Sequence, residues 1–159
     1  MASAKRSAGI LLFRRGPHRS IEVLLVHPGG PFWARKDEGA WTVPKGEHEE
    51  DEDPFEAARR EFEEETSHRP EGTFHPLAPV TQKSGKVVRA WAVEGDFDPA
   101  RLRSNTFEVE WPPRSGRKRE FPEVDRAAWL GLDEAARKIR PEQAPFLEEV
   151  RRIARETAR

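Results

Sequence analysis

The sequence predicts an α+β protein, a mixed β-sheet between helices in an α/β/α sandwich. Three observations carry this. Two short apolar runs near the start, Ala8–Phe13 and Ile21–Val26, read as buried strands. A capped helix with one apolar stripe sits in the middle, at 53–66. Strand-like segments then resume, and an amphipathic helix follows at about 141–157. With 159 residues and no internal repeat or linker, 1–159 reads as a single domain.

Residues 1–6 read as a loose terminus. Arg14-Arg15-Gly16-Pro17 ends the first strand and turns the chain into Ile21–Val26. His27-Pro28-Gly29-Gly30-Pro31 forbids continuation, so 28–40 is expected as a long loop carrying Phe32 and Trp33. Ala40–Val43 reads as a short strand-like piece stopped by Pro44. In the helix, Asp53 is the N-cap, Pro54 suits the first helical position, and Glu56 completes an Asp-type capping box. Phe55, Ala58 and Phe62 form the buried stripe, and Pro70 ends the helix at or before Arg69. Thr73–Val80 and Lys86–Val93 read as strands joined near Ser84-Gly85, with Trp91 in the core. Thr106–Trp111 alternates Phe107, Val109 and Trp111 on one face, and Pro112–Arg119 reads as a basic loop. Ala127–Leu130 is a short strand and Asp133–Ile139 a helix. The last helix gathers Phe146, Leu147, Val150, Ile153 and Ala154 on one side.

Composition narrows the classes. Hydrophobic residues make up 35% and charged residues 36%, so the core is lean, and prolines and tryptophans must fix loops and fill volume. No apolar run approaches the 18 or so residues of a membrane span, and no signal-type stretch opens the chain. No membrane partner and a cytoplasmic location are expected. Without cysteine there is no disulfide, thiolate metal site or Cys nucleophile. The net charge of −1 is unevenly placed: Glu47–Glu65 holds eleven acids against Arg59 and Arg60, and the rest of the chain is basic.

Glu61, Glu64 and Glu65 are spaced i, i+3, i+4, so they share one helix face, rotated away from Phe55, Ala58 and Phe62. Like charges there repel by a few tenths of a kcal/mol per pair, roughly. Hard divalent cations want several carboxylate oxygens at once. On spacing alone, a metal site and a solvated acidic face stay equally open.

Upstream, Gly46 precedes Glu52 by six positions and Glu52 precedes Arg60 by eight, followed by Glu61-Phe62-Glu63-Glu64-Glu65. Here the sequence resembles the Nudix hydrolase family. Its signature runs Gly, five residues, Glu, seven residues, Arg-Glu, an aliphatic or aromatic residue, any residue, Glu-Glu, any residue, Gly, aliphatic. Every position from Gly46 to Glu65 matches, whereas Ser67 replaces the Gly and His68 the aliphatic. Either Ser67 adopts the left-handed conformation, at about 1 kcal/mol, or the helix ends differently before Pro70. Ser7–Leu12, the Trp41–Gly46 approach and Glu123–Trp129 resemble Nudix proteins more loosely. The resemblance implies a Nudix-like sandwich over nearly the whole chain. It implies Mg²⁺ or Mn²⁺ on Glu61, Glu64 and Glu65 with the Gly46 carbonyl, neutralising a pyrophosphate and acidifying a bound water. Arg60 would pair with Glu52. The family's proton acceptor is a box glutamate or a distant carboxylate, and Glu123 is the outside candidate, with Glu120 second. The expected catalytic set is therefore Glu52, Arg60, Glu61, Glu64 and Glu123.

Lys45, Lys83, Lys86, Arg114 and Arg117, with Lys118 and Arg119, are candidates for phosphate contact, against the plainer reading of solvated loops. Trp33, with Phe32, is a candidate for base stacking, against loop packing. The histidines lack ligand spacing; His27 reads as a strand end and His48 as loop. The expected activity is metal-dependent hydrolysis of a nucleoside diphosphate linked to another group. A dinucleoside polyphosphate such as diadenosine tetraphosphate is favoured, because Pro44-Lys45-Gly46 resembles the diadenosine polyphosphate hydrolases. The alternatives are an ADP-ribose or nucleotide-sugar pyrophosphatase, and a non-catalytic nucleotide- or RNA-binding module that the retained glutamates disfavour. A small nucleotide is the expected partner, with no stable nucleic-acid partner; oligomeric state stays open.

Overall fold

Strand β1 (Arg6–Arg15) organises the molecule, seen here in a computed structural model that describes residues 5–157. The remaining elements are β2 (Ile21–Pro28), β3 (Lys45–Glu47), α1 (Pro54–Thr66), β4 (His75–Pro76), β5 (Val80–Thr81) and β6 (Val87–Glu94). They are followed by β7 (Thr106–Glu110), β8 (Lys118–Pro122), β9 (Val124–Gly131), α2 (Leu132–Lys138) and α3 (Ala144–Glu156). A seven-stranded sheet runs β4-β6-β1-β2-β9, with β3 beside β1 and β5 beside β6; β7 and β8 form a separate ribbon. β1 and β6 are parallel and the other pairs antiparallel, so the sheet is mixed. Of the terminus expected to be loose, residues 1–4 lie outside the described residues, and Arg6 already belongs to β1. Among the described residues, no helix is long and apolar enough to cross a membrane.

β1 is apolar from Ala8 to Phe13 because both its faces are covered there. Ala8, Ile10 and Leu12, with Leu24 of β2, pack on Ala57, Ala58 and Phe62 of α1. Leu11 and Phe13, with Val23 and Leu25, pack on Phe146, Leu147, Val150 and Ile153 of α3. The period of two along β1 thus feeds two helix layers, the expected sandwich. The α3 stripe is buried as its spacing predicts.

β1 pairs with β2 only at its far end, from Phe13–Val23 to Arg15–Ile21. Nearer its start the same edge pairs with β3, at Ser7–Glu47, Ala8–Gly46 and Gly9–Lys45. β1 and β2 therefore splay, and 44–47 fills the gap. Gly9 permits this: a Cβ there would fall 2.4 Å from the Pro44 carbonyl oxygen. Buried Gln143 pins the approach, its Oε1 accepting from the Val43 amide at 3.0 Å and its Nε2 donating to Thr42 Oγ1 at 2.9 Å.

Four sequence expectations need correction. Pro44 does not stop a strand: Trp41 and Thr42 make only isolated bridges, and the strand is β3, beyond the proline. Pro44 serves as an acceptor, from the Ile10 amide at 3.2 Å. Thr73–Val80 is not one strand but holds β4 and the start of β5, two short pieces on β6. The expected loop 112–119 yields its last two residues to β8, paired with β7. Trp91 is only half-buried, its edge against Phe55 at 5.3 Å between ring centroids.

Candidate active site

Helix α1 aims the acidic face. The Asp53 carboxylate accepts from the Glu56 amide at 3.0 Å and Pro54 opens the first turn. With Ala57, Ala58 and Phe62 buried on the sheet, the i, i+3, i+4 set is turned toward β3. Glu61 lies against Gly46 so closely that a Cβ at Gly46 would fall 2.0 Å from Glu61 Oε2. Glu65 is only 8% exposed, and its Oε2 has no hydrogen-bond partner. Burial pushes the Glu65 carboxyl up to about 8; Glu61 and Glu123 add to this, while Lys45 opposes it through its charge and a backbone hydrogen bond. Glu61 is also raised, by burial and then by Glu64, against the pull of Arg60. Glu123 is raised by partial burial and then by Glu64.

Arg60 ties the acidic groups together. Its guanidinium donates to Glu52 and, at 3.1 Å, to Glu61 Oε1, and its Nε lies 3.8 Å from Glu64 Oε1. Among the described residues, no three carboxylates or imidazoles converge into a ready-made cation cage; Glu61 and Glu64 face Arg60 instead. The donor set still suits a hard cation. It is all oxygen, and its most buried member keeps an oxygen unpartnered, a state that burial makes costly.

At the helix end, Ser67 takes the left-handed conformation itself (φ 62°, ψ 26°) and closes α1 with its amide on the Glu63 carbonyl at 2.7 Å. Its hydroxyl donates to the Arg103 carbonyl at 2.8 Å. His68 packs against Phe97 with 5.3 Å between ring centroids, which fills the place of the signature's aliphatic residue.

Glu123 is brought to α1 by residues that sequence reading missed. The Asn105 amide donates to the Glu64 carbonyl at 3.1 Å, and the Glu123 amide donates to the Asn105 carbonyl at 2.8 Å. The Gly29 amide holds the Glu123 carbonyl at 2.9 Å, and a Cβ on Gly29 would fall 1.9 Å from the Pro122 oxygen. The paired glycines after Pro28 were the available signal; a lone Asn before a strand is too common to be one. Glu120, the second candidate, is exposed on β8 and accepts from the Thr106 hydroxyl.

The phosphate candidates divide. Half-buried Lys45 is pushed down to about 8, by burial first and then by Lys86, with Arg140 contributing in the same sense. Lys86 also pairs with Glu47 at 2.8 Å. Lys83 is exposed beside the β5–β6 turn, and Arg114 and Arg117 are exposed in the β7–β8 turn. Trp33 lies between two cations, Lys36 at 4.9 Å and Arg140 at 5.1 Å from its ring centroid. Phe32 is 57% exposed and meets Trp111 edge-on at 5.6 Å. Lys45, Trp33 and Arg140 thus form one cationic and aromatic neighbourhood, which Arg114 and Arg117 join through no hydrogen bond, ion pair or cation–π contact of their side chains among the described residues.

A model of the NUDIX domain matches residues 4–150 of the sequence. No curated protein matches it. A Caenorhabditis elegans Ap4A hydrolase in a binary complex has a similar structure, with TM-score 0.67, 23% identity, and 96% of this chain and 99% of that one covered. So does the NUDIX domain of Shewanella oneidensis NrtR complexed with ADP ribose, at TM-score 0.66 and 17% identity, covering 96% and 90%. The Mycobacterium smegmatis Nudix hydrolase RenU follows at TM-score 0.61 and 20% identity, covering 100% and 91%. At these identities the likeness carries the fold.

Proposed function

The chain belongs to the Nudix family of pyrophosphohydrolases, and from that premise we propose that it hydrolyses a dinucleoside polyphosphate such as diadenosine tetraphosphate. Residues 1–159 act as one catalytic domain. The observation that carries a metal-dependent hydrolase is the unpartnered, buried Oε2 of Glu65 beside the Gly46–Glu61 contact. Glu61, Glu64 and Glu65, with the Gly46 carbonyl, are the groups to hold Mg²⁺ or Mn²⁺, which supplies charge neutralisation and an acidified water. Arg60 and Glu52 hold the loop against α1. Glu123, raised and coupled to Glu64, is the proton acceptor favoured outside the box. Lys45 offsets phosphate charge, with Lys86 beside it. Trp33 offers a ring to a base, in the manner of aromatic platforms worth about 1–3 kcal/mol per base.

The structural similarity to an Ap4A hydrolase supports the longer phosphate chain, as does the positive charge gathered around Lys45. ADP-ribose is the second reading. Lys86 is paired with Glu47, which removes one charge from the phosphate path, and a similar NUDIX domain is complexed with ADP ribose. The test compares kcat/KM for diadenosine tetraphosphate, ADP-ribose and a UDP-sugar with Mg²⁺ and with Mn²⁺, products identified by mass, and repeats it with Lys45→Ala. A selective loss on the longest phosphate chain supports the reading. A tenfold preference for ADP-ribose or the sugar nucleotide overturns the substrate and leaves the hydrolase standing.

A further inference from the structure

His27 is fully buried near the end of β2, where pairing with β9 shifts register between His27 and Pro28. Its ring has two partners: Nδ1 meets Asp125 Oδ1 at 2.8 Å and Nε2 meets the Lys36 carbonyl at 2.6 Å. A carbonyl oxygen only accepts, and so does an ionised carboxylate. Nε2 therefore donates to the Lys36 carbonyl, while Nδ1 holds Asp125 on the other side of the ring.

Both partners lead to the site. The Lys36 amide donates to the Trp33 carbonyl at 3.0 Å, so His27 grips the turn that presents Trp33. Asp125 lies two residues after Glu123, whose carbonyl is held by Gly29, two residues after His27. The surrounding charges come from three elements. On β9, Arg126 lies 3.7 Å from Asp125. In the loop, Asp37 accepts from Trp41 Nε1 at 2.8 Å, and the Lys36 ammonium is turned to Trp33. On α2, Lys138 pairs with Asp37 at 3.0 Å. Trp41 stands edge-on between these groups and the imidazole, 5.3 Å from it.

We propose that His27 is a positioning residue whose two ring hydrogen bonds lock the turn carrying Trp33 to the strand following Glu123, so that nucleotide affinity falls when that link is lost. This rests on Trp33 being the base platform of the functional reading.

The test combines two measurements on the full chain. Amide exchange at Lys36 is followed without substrate, and KM and kcat for the preferred nucleotide are then measured, in wild type, in His27→Phe, which fills the volume without either ring hydrogen bond, in Asp125→Ala, and in Asp125→Asn, which keeps an acceptor for Nδ1. The expected result in His27→Phe is faster Lys36 exchange and a KM raised about tenfold, the worth of one hydrogen bond to a charged group, with kcat within twofold. Asp125→Ala should raise KM in the same sense and Asp125→Asn should keep it near wild type. Circular dichroism checks that each variant is folded. Wild-type KM and Lys36 exchange in both His27→Phe and Asp125→Ala, or a fall in kcat with KM unchanged, overturns the proposal. Because exchange is read without substrate, a chain that hydrolyses no nucleotide defeats the functional reading separately.

Discussion

The carboxylate of Glu61 occupies the space that a side chain at position 46 would need: a Cβ on Gly46 would meet its Cδ at 2.1 Å and Oε2 at 2.0 Å. The contact joins α1 to β3 across fifteen residues of sequence. The requirement for glycine is one of space, since a Cβ has nowhere to go while Glu61 holds its position.

Gly46→Ala separates geometry from stability. The clash is with the far end of a flexible side chain, so Glu61 rotates away and the fold survives, with a loss within about 1 kcal/mol. Displacing the carboxylate by about an ångström should cost turnover roughly 10²-fold. Melting temperature and kcat measured together decide it; near-wild-type turnover would remove Glu61 from the site.

Metal-free stability should fall as pH rises from about 5 to about 8. The Glu65 carboxyl titrates at about 8 in the folded chain against an ordinary 4.5, so the folded state keeps a proton that the unfolded chain releases. The stability this contributes is complete below 4.5 and lost as pH rises through 8. Lys45, pushed down to about 8 from 10.5, acts in the opposite sense above pH 8 and halts the decline. Glu65→Gln should flatten the descending limb, and Mn²⁺ should raise the melting temperature most near pH 8. Thermal scans in chelator and in Mn²⁺ test this; a wild-type slope retained in Glu65→Gln would place the proton elsewhere.

Helix α1 is legible in the sequence because its cap, its proline and its apolar spacing are local signals that agree. β1 is legible because burial on both faces leaves a continuous apolar run. β3 is hidden: its strand character comes from the gap between β1 and β2, and no local pattern announces a splay. β8 is hidden because Lys118, Arg119 and Glu120 are exposed in a two-stranded ribbon and carry no apolar alternation. Of the site, the glutamates follow from the match of Gly46, Glu52, Arg60 and the glutamates to the Nudix signature rather than from helix spacing alone, but Glu123 reaches them through Asn105 and Gly29, and His27 reaches Asp125 across 98 positions. Such pairings are set by register, which one sequence does not display.

Phe62→Ala should destabilise by about 3–5 kcal/mol, the cost of a cavity left by a large core ring. Phe62 is 0% exposed, shares its cluster with Ile10, Leu12 and Leu24, and meets His68 at 6.3 Å between ring centroids. Urea unfolding measures the change. A shift below about 1 kcal/mol would mean that α1 is rotated about its axis, and the orientation of the glutamates would fall with it.

Arg60→Gln distinguishes two roles for the guanidinium. The arginine side chain is 44% exposed, and exposed pairs are worth about 1 kcal/mol or less, so stability should change little. Its bonds to Glu52 and Glu61 and its approach to Glu64 neutralise carboxylates that a divalent cation would also use. Removing it relieves that competition, so Mn²⁺ binding without substrate should stay equal or tighten. Turnover should nonetheless fall, about 10–100-fold, because Glu61 and Glu64 lose a fixed partner and Glu52 no longer anchors the loop to α1. Calorimetric titration with Mn²⁺ beside steady-state kinetics separates the two effects. If Mn²⁺ binding weakened tenfold in step with turnover, Arg60 would be ordering the ligands for the cation rather than competing with it.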